Sequence, residues 1–211
     1  MIREKFIRLG RWLHSKSLLA ATDGNFSFRD GESFWITESG AHKGFDDDLG
    51  VARVALNGKV LQGRPSSEST AHQVVYERCC QARCVIHAHP PTAVAWSIAH
   101  PQLEELVCDA FSEVILAVGR IPIVEYARPG GQELAKSIEP FVQSHRAIIL
   151  GRHGALSWGE SIEEALNGIE RIEHAAVILA QAALLGGAKP LPAHEVQWLR
   201  ERRRELGDKT L

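Results

Sequence analysis

A charge imbalance is missing from this 211-residue chain: 24 lysines and arginines face 26 aspartates and glutamates, and a formal net charge of −2 offers no field for a nucleic acid or an anionic bilayer. Long apolar runs are missing too. The stretch 175–185 is broken by Gln181 and falls short of the roughly 20 residues that a bilayer crossing needs. The first residues, Met1-Ile2-Arg3-Glu4-Lys5-Phe6, mix acid and base without an uninterrupted apolar segment ahead of a cleavage site, so the expectation is a cytoplasmic protein with no membrane partner. Cysteine is scarce. Cys79, Cys80, Cys84 and Cys108 contain no Cys-x-x-Cys pair, and two adjacent residues are poorly placed to bridge each other, so the four read as reduced, mostly buried thiols. No internal repeat, low-complexity tract or linker divides the chain. At 45% apolar and 24% charged residues, the composition excludes disorder and fibrous architectures and fits one layered α+β or α/β domain over residues 1–211.

Periodicity supplies the elements. Ile2, Phe6, Leu9 and Leu13 recur at helical spacing over the first ~14 residues. After the Gly24-Asn25 break, Phe26 and Phe28 alternate with Ser27 and Arg29, and Phe34-Trp35-Ile36-Thr37 follows across Asp30-Gly31, which predicts a strand pair. Residues 51–56 and 59–62 flank Asn57-Gly58, whose positive φ values suit a tight hairpin turn. A helix is expected from Pro65-Ser66-Ser67-Glu68 to about Cys80, then a strand from Cys84 to His89 that Pro90-Pro91 stops. An apolar run at 114–118, a short segment at 121–126, a helix beginning near Gly131 and a buried-type strand at 147–150 come next. The remainder reads as helical: Ser161 and Glu164 form a capping box, Ile162, Ala165, Leu166, Ile169, Ile172 and Ala176 continue at helical spacing, Gly186-Gly187 closes the segment, and a last helix covers about 193–206.

Two patterns point to chemistry. His87 and His89 stand two apart in a predicted strand, so both rings leave the same face, and His153 follows another strand just before Gly154. Three neutral imidazoles with one position open are the donor set of catalytic zinc, although His-x-His also fits a packed or surface pair. The other pattern is a set of oxyanion donors: Thr22-Asp23-Gly24-Asn25, Thr37-Glu38-Ser39-Gly40, and Ser66-Ser67 at a helix start. Each is also what turns and caps use, and only their convergence in space makes a phosphate cradle. Glu68 follows the serine pair. There it serves either as a first-turn acid facing the helix dipole or, beside a dication and a phosphate, as a proton carrier.

The ordered combination resembles the class II aldolase and adducin family. The match runs over nearly the whole chain through Gly24-Asn25-Phe26-Ser27-Phe28-Arg29, Ile36-Thr37-Glu38-Ser39-Gly40, Pro65-Ser66-Ser67-Glu68, His72 and Tyr76, His87-Ala88-His89, Gly119-Arg120-Ile121-Pro122, Pro129-Gly130, His153-Gly154, and Gly159 with Glu163-Glu164-Ala165. The resemblance implies a three-layer α/β/α domain around a central, largely antiparallel sheet, assembled as a homotetramer with active sites at subunit interfaces. It implies Zn2+ or another divalent ion on His87, His89 and His153, Glu68 as acid/base, and phosphate contacts from Thr22, Gly24, Asn25, Ser39, Gly40, Ser66 and Ser67. The activity it implies is a lyase on a phosphorylated ketose, foremost cleavage of a ketose 1-phosphate to dihydroxyacetone phosphate and an aldehyde through an enediolate, whose charge a divalent ion stabilises. An imine mechanism is not expected, because the lysines, Lys43 among them, lie in polar or turn-like contexts. Departures bear on the substrate. Phe111 stands where the family's fuculose-phosphate aldolase has a catalytic tyrosine, and no tyrosine follows Tyr126. The segments 39–44 and 153–159 are similar to methylthioribulose-1-phosphate dehydratase, the alternative activity, whereas 126–134 is more aldolase-like. A sugar-phosphate epimerase and a non-catalytic adducin-like interaction domain are the remoter readings.

Overall fold

Strand alternation decides which side chains reach which face, and the short polar turns decide where strands stop. In the computed structural model, which describes residues 2–45 and 47–209, β1 (Asn25–Asp30) and β2 (Ser33–Thr37) pair antiparallel with Asp30 opposite Ser33. β3 (Val51–Ala55) joins β2, and β4 (Val60–Gln62) returns after the Asn57-Gly58 turn, as the dipeptide predicts. β5 (Cys84–Ala88) lies on the other side of β1. Beyond it come β8 (Gly154–Gly159), β7 (Ala147–Leu150) and β6 (Ile123–Val124), giving the order β4-β3-β2-β1-β5-β8-β7-β6. Every pairing is antiparallel except β6 with β7. The expected mixed, largely antiparallel sheet is present.

Seven helices are described: α1 (Ile2–Ser15), α2 (Ser69–Arg78), α3 (Pro91–Ala99), α4 (Ser112–Ala117), α5 (Gln132–Ile138), α6 (Ile162–Leu184) and α7 (Ala193–Glu205). One face of the sheet, including Phe26, Phe28, Ile86 and Ile149, is buried with Phe6, Leu9 and Leu13 of α1 and Ile169, Ile172 and Ala176 of α6. The other, including Phe34, Ile36, Val85, Leu156 and Trp158, is buried with Val75 of α2 and Leu134 and Ile138 of α5. Each fully buried side chain of this size is worth about 1.5–3 kcal/mol, so both layers hold the sheet firmly. Ser161 caps α6 by accepting from the Glu164 N–H at 3.1 Å, as its sequence signature predicts. No described helix is long and apolar enough to cross a membrane.

Two elements escape the periodicity reading. Pro90-Pro91 ends β5 but also starts α3, because a proline at the first helical position gives up only an N–H that has no partner in the helix. β8 is buried at all six positions, so it shows no alternation and blends into the helical segment that follows.

Candidate metal centre and anion cleft

His87 sits in β5 opposite Asn25 on one side and Leu156 on the other, so sheet register fixes its place. His89 lies two residues on, and His153 stands in the turn between β7 and β8. The three rings come together with centroids 4.8, 4.8 and 5.2 Å apart, and one nitrogen from each lies within 4.8 Å of the others. His87 Nδ1 donates to the Ala155 carbonyl at 2.9 Å, which leaves Nε2 as a lone pair aimed at the cluster. That Nε2 is 3.0 Å from His89 Nε2. Two nitrogens on one tetrahedral zinc are roughly 3.3 Å apart, so the donor set fits a divalent ion. Asp23 Oδ2 lies 3.6 Å from His89 Nδ1, on the ring edge away from the cluster. Gly154 makes the crowding possible: a Cβ there would meet the Ala88 carbonyl at 2.5 Å, His89 Cδ2 at 2.8 Å and His87 Cε1 at 2.9 Å.

The electrostatics suit ligands that must be uncharged. Burial lowers the His87 imidazole below its usual range against the pull of Glu68, lowers His153 in the same way, and with His87 nearby takes His89 down to about 4. Glu68 bridges the cluster, with Oε2 3.2 Å from His87 Nε2 and Oε1 3.3 Å from His153 Nε2. Burial pushes its carboxyl up, but His87, the Asn25 amide at 2.7 Å and His153 together hold it below the usual carboxylate range.

All seven expected anion-side residues line one cleft of about 360 Å³, together with Glu68, His89 and His153. Backbone pairing explains the convergence. Ser39 N–H donates to the Arg64 carbonyl at 3.1 Å and Ser66 N–H to the Thr37 carbonyl at 3.2 Å, which zips residues 64–66 against 37–39 around an isolated bridge between Glu38 and Pro65. Gly24 and Gly40 hold φ of 68° and 77°. A Cβ on Gly24 would meet the His87 carbonyl at 2.8 Å, so the first donor segment is laid directly on β5. The Asn25 amide does not face the cleft alone: its oxygen meets His72 and its nitrogen meets Glu68.

Lys43 is the residue the sequence reading misplaced. It stands in a turn, as expected, yet it is buried at 3% exposure, lines the cleft, and donates its Nζ to the Thr22 carbonyl. A cation therefore joins donors expected to be neutral. Its signal was a lone lysine in a glycine-rich turn, which by itself reads as solvated. Asp23 also lines the cleft, and its place inside a Thr-Asp-Gly-Asn turn gives no separate signal of that.

A partly buried three-imidazole cluster that could hold a metal ion, beside a cleft lined by hydroxyl, amide and glycine backbone groups and with a carboxylate reaching both, is the arrangement of a candidate active site. Residues 4–180 match the class II aldolase and adducin N-terminal domain, and the chain belongs to that family. It is similar to a 3-oxo-tetronate 4-phosphate decarboxylase of Cupriavidus necator, at 29% identity over 89% of this chain and 92% of the relative. It is similar to a methylthioribulose-1-phosphate dehydratase of Methylococcus capsulatus, at 33% identity over 81% and 88%. Among solved structures, L-fuculose-1-phosphate aldolase from Thermus thermophilus superposes with a TM-score of 0.77 at 33% identity, covering 90% of this chain and 98% of that one. Family members related to this chain thus include enzymes of three lyase activities.

Proposed function

We propose that the protein is a zinc-dependent lyase acting on a small phosphorylated ketose, cleaving a ketose 1-phosphate to dihydroxyacetone phosphate and an aldehyde. The observation that carries this reading is the placement of Glu68, within 3.3 Å of two imidazoles of the cluster and on the wall of the anion cleft. His87, His89 and His153 would hold the ion, which when bound supplies Lewis-acid stabilisation of negative charge on substrate oxygens.

The chain's own residues then have distinct tasks. Thr22, Gly24, Asn25, Ser39, Gly40, Ser66 and Ser67, with Lys43, take the phosphate and fix the three-carbon half of the substrate. The bond to the leaving carbon breaks, its electron pair becomes the enediolate of dihydroxyacetone phosphate, and a proton departs from the leaving carbon's hydroxyl. Glu68 delivers a proton to the enediolate carbon, or removes it in the condensing direction. A 3-oxo acid 4-phosphate losing carbon dioxide would leave the same enediolate, and a methylthioribulose 1-phosphate giving up the proton beside its ketone would form an analogous enediolate of its intact chain and then lose the neighbouring hydroxyl as water, so one half of the site would serve all three activities of the relatives. Dehydration stays the second reading, on the Ser39-Gly40-Ala41-His42-Lys43-Gly44 segment.

Of the two tyrosines, Tyr76 is buried against Ser27 and Tyr126 is not among the residues lining the cleft. By the family resemblance, the contacts to the leaving half are proposed to come from a homotetramer with sites between subunits, working in the cytoplasm. The test is product identification from fuculose, rhamnulose, deoxyribulose and methylthioribulose 1-phosphates and 3-oxo-tetronate 4-phosphate, with light scattering for the assembly. Dihydroxyacetone phosphate from a ketose 1-phosphate supports the aldolase reading; its absence from every ketose overturns it.

A further inference from the structure

Five polar side chains stand in single file, from Glu68 and Asn25 on the wall of the cleft to His72, Ser27 and Tyr76, which do not line it. Tyr76 Oη is 2.8 Å from Ser27 Oγ, Ser27 Oγ is 2.7 Å from His72 Nδ1, His72 Nε2 is 2.6 Å from Asn25 Oδ1, and Asn25 Nδ2 is 2.7 Å from Glu68 Oε2. All five are buried, with Ser27 and His72 wholly inaccessible. The file follows from two periodicities meeting. Asn25 and Ser27, two apart on β1, leave the face opposite to Phe26 and Phe28, while Glu68, His72 and Tyr76 recur every four residues at the start of and along α2.

Donor counting leaves one arrangement. A carboxylate only accepts, so Asn25 must give Glu68 its NH2 and turn its oxygen to His72. That oxygen needs a donor, so His72 carries its hydrogen on Nε2; burial lowers its pKa to about 3 and keeps the ring neutral, so Nδ1 accepts. Ser27 therefore donates to Nδ1 and accepts from Tyr76. Each group is satisfied in this one direction only. Turning Asn25 over sets its oxygen against a Glu68 oxygen, exchanging the His72 tautomer sets a ring lone pair against the Asn25 oxygen, and turning the Ser27 hydroxyl to Tyr76 leaves His72 Nδ1 without a donor.

We infer that His72 is a positioning residue: its Nε2–H locks the Asn25 amide with the NH2 toward Glu68 and so holds the Glu68 carboxylate where its two oxygens reach the His87 and His153 rings. His72 touches neither substrate nor ion. The inference rests on the role proposed for Glu68, but part of its test does not.

The first measurement is the His72 tautomer in metal-free protein labelled with 15N-histidine, read from long-range 1H–15N correlations. A protonated Nε2 with unprotonated Nδ1 is expected; a protonated Nδ1 overturns the inference whatever the enzyme does. The second compares His72→Gln, whose amide still donates toward Asn25 and accepts from Ser27, with His72→Leu, which does neither. The readout is deuterium exchange from solvent into dihydroxyacetone phosphate, with KM and metal content measured alongside. H72L should lose about 100-fold in exchange rate with KM and metal content little changed, and H72Q should recover most of the loss. Equal rates for H72L and wild type, or a folded, metalated H72Q as slow as H72L, overturn the inference. If H72L does not fold, the tautomer decides alone. A wild type that exchanges nothing counts against the proposed function, not against this assignment.

Discussion

The two halves of the site are made of different material. The metal half hangs on sheet register: His87 is paired across to Asn25 and Leu156, His89 is two residues further on, and His153 is held in a three-residue turn between paired strands. The anion half is made of turns from three separate segments, and Thr22, Gly40 and Ser67 are exposed to solvent. A half built by register concentrates its function in a few buried groups. One built from turns spreads it over many donors, each worth a fraction of the whole.

That contrast orders the expected effects. His89→Ala should abolish metal binding and lower activity by at least about 1000-fold, measured by elemental analysis and substrate turnover, while the fold persists because the ring lies outside β5. Glu68→Gln comes next: about 100- to 10,000-fold slower proton exchange into dihydroxyacetone phosphate with metal content and inorganic-phosphate affinity retained, and a variant that still exchanges at the wild-type rate would remove Glu68 from the mechanism. In the anion half, Lys43→Met and Ser67→Ala should raise KM about 10- to 100-fold with metal content unchanged, each loss being that of one hydrogen bond to a charged group. The smallest effect is on stability. His72 takes a proton near 6.5 when unfolded but only near 3 when folded, so its contribution is lost as pH falls below 6.5, by about 2 kcal/mol at pH 5. His87, His89 and His153 are lowered too and add dependence of the same sign in chelator-treated protein, so denaturant unfolding at pH 7 and pH 5 should show a total larger than this, and His72→Gln should reduce it by about 2 kcal/mol.

The same contrast explains what was legible in the sequence. Alternation carries spatial meaning, so the His-x-His pair, the β1–β2 and β3–β4 hairpins, and the capped start of α6 could be read from spacing alone. Turns carry no period. The three donor segments were recognisable as turns, but their meeting depends on the pairing of 37–39 with 64–66, which residue types do not announce. Lys43 looked solvated because burial of its side chain comes from α1 and the Thr22 carbonyl, both distant in sequence. β8 gives no periodic signal because a strand covered on both faces has no polar side to alternate with, and α3 gives none because a proline pair reads as a stop before it reads as a start.

The most direct measurement is the stoichiometry of zinc bound by chelator-stripped protein, determined by equilibrium dialysis and elemental analysis for the wild type, Glu68→Gln and the three single variants His87→Ala, His89→Ala and His153→Ala. One ion per chain in the wild type and in E68Q, and none in any histidine variant, is the predicted result. A wild type that binds no ion, or histidine variants that bind it as the wild type does, would contradict the account.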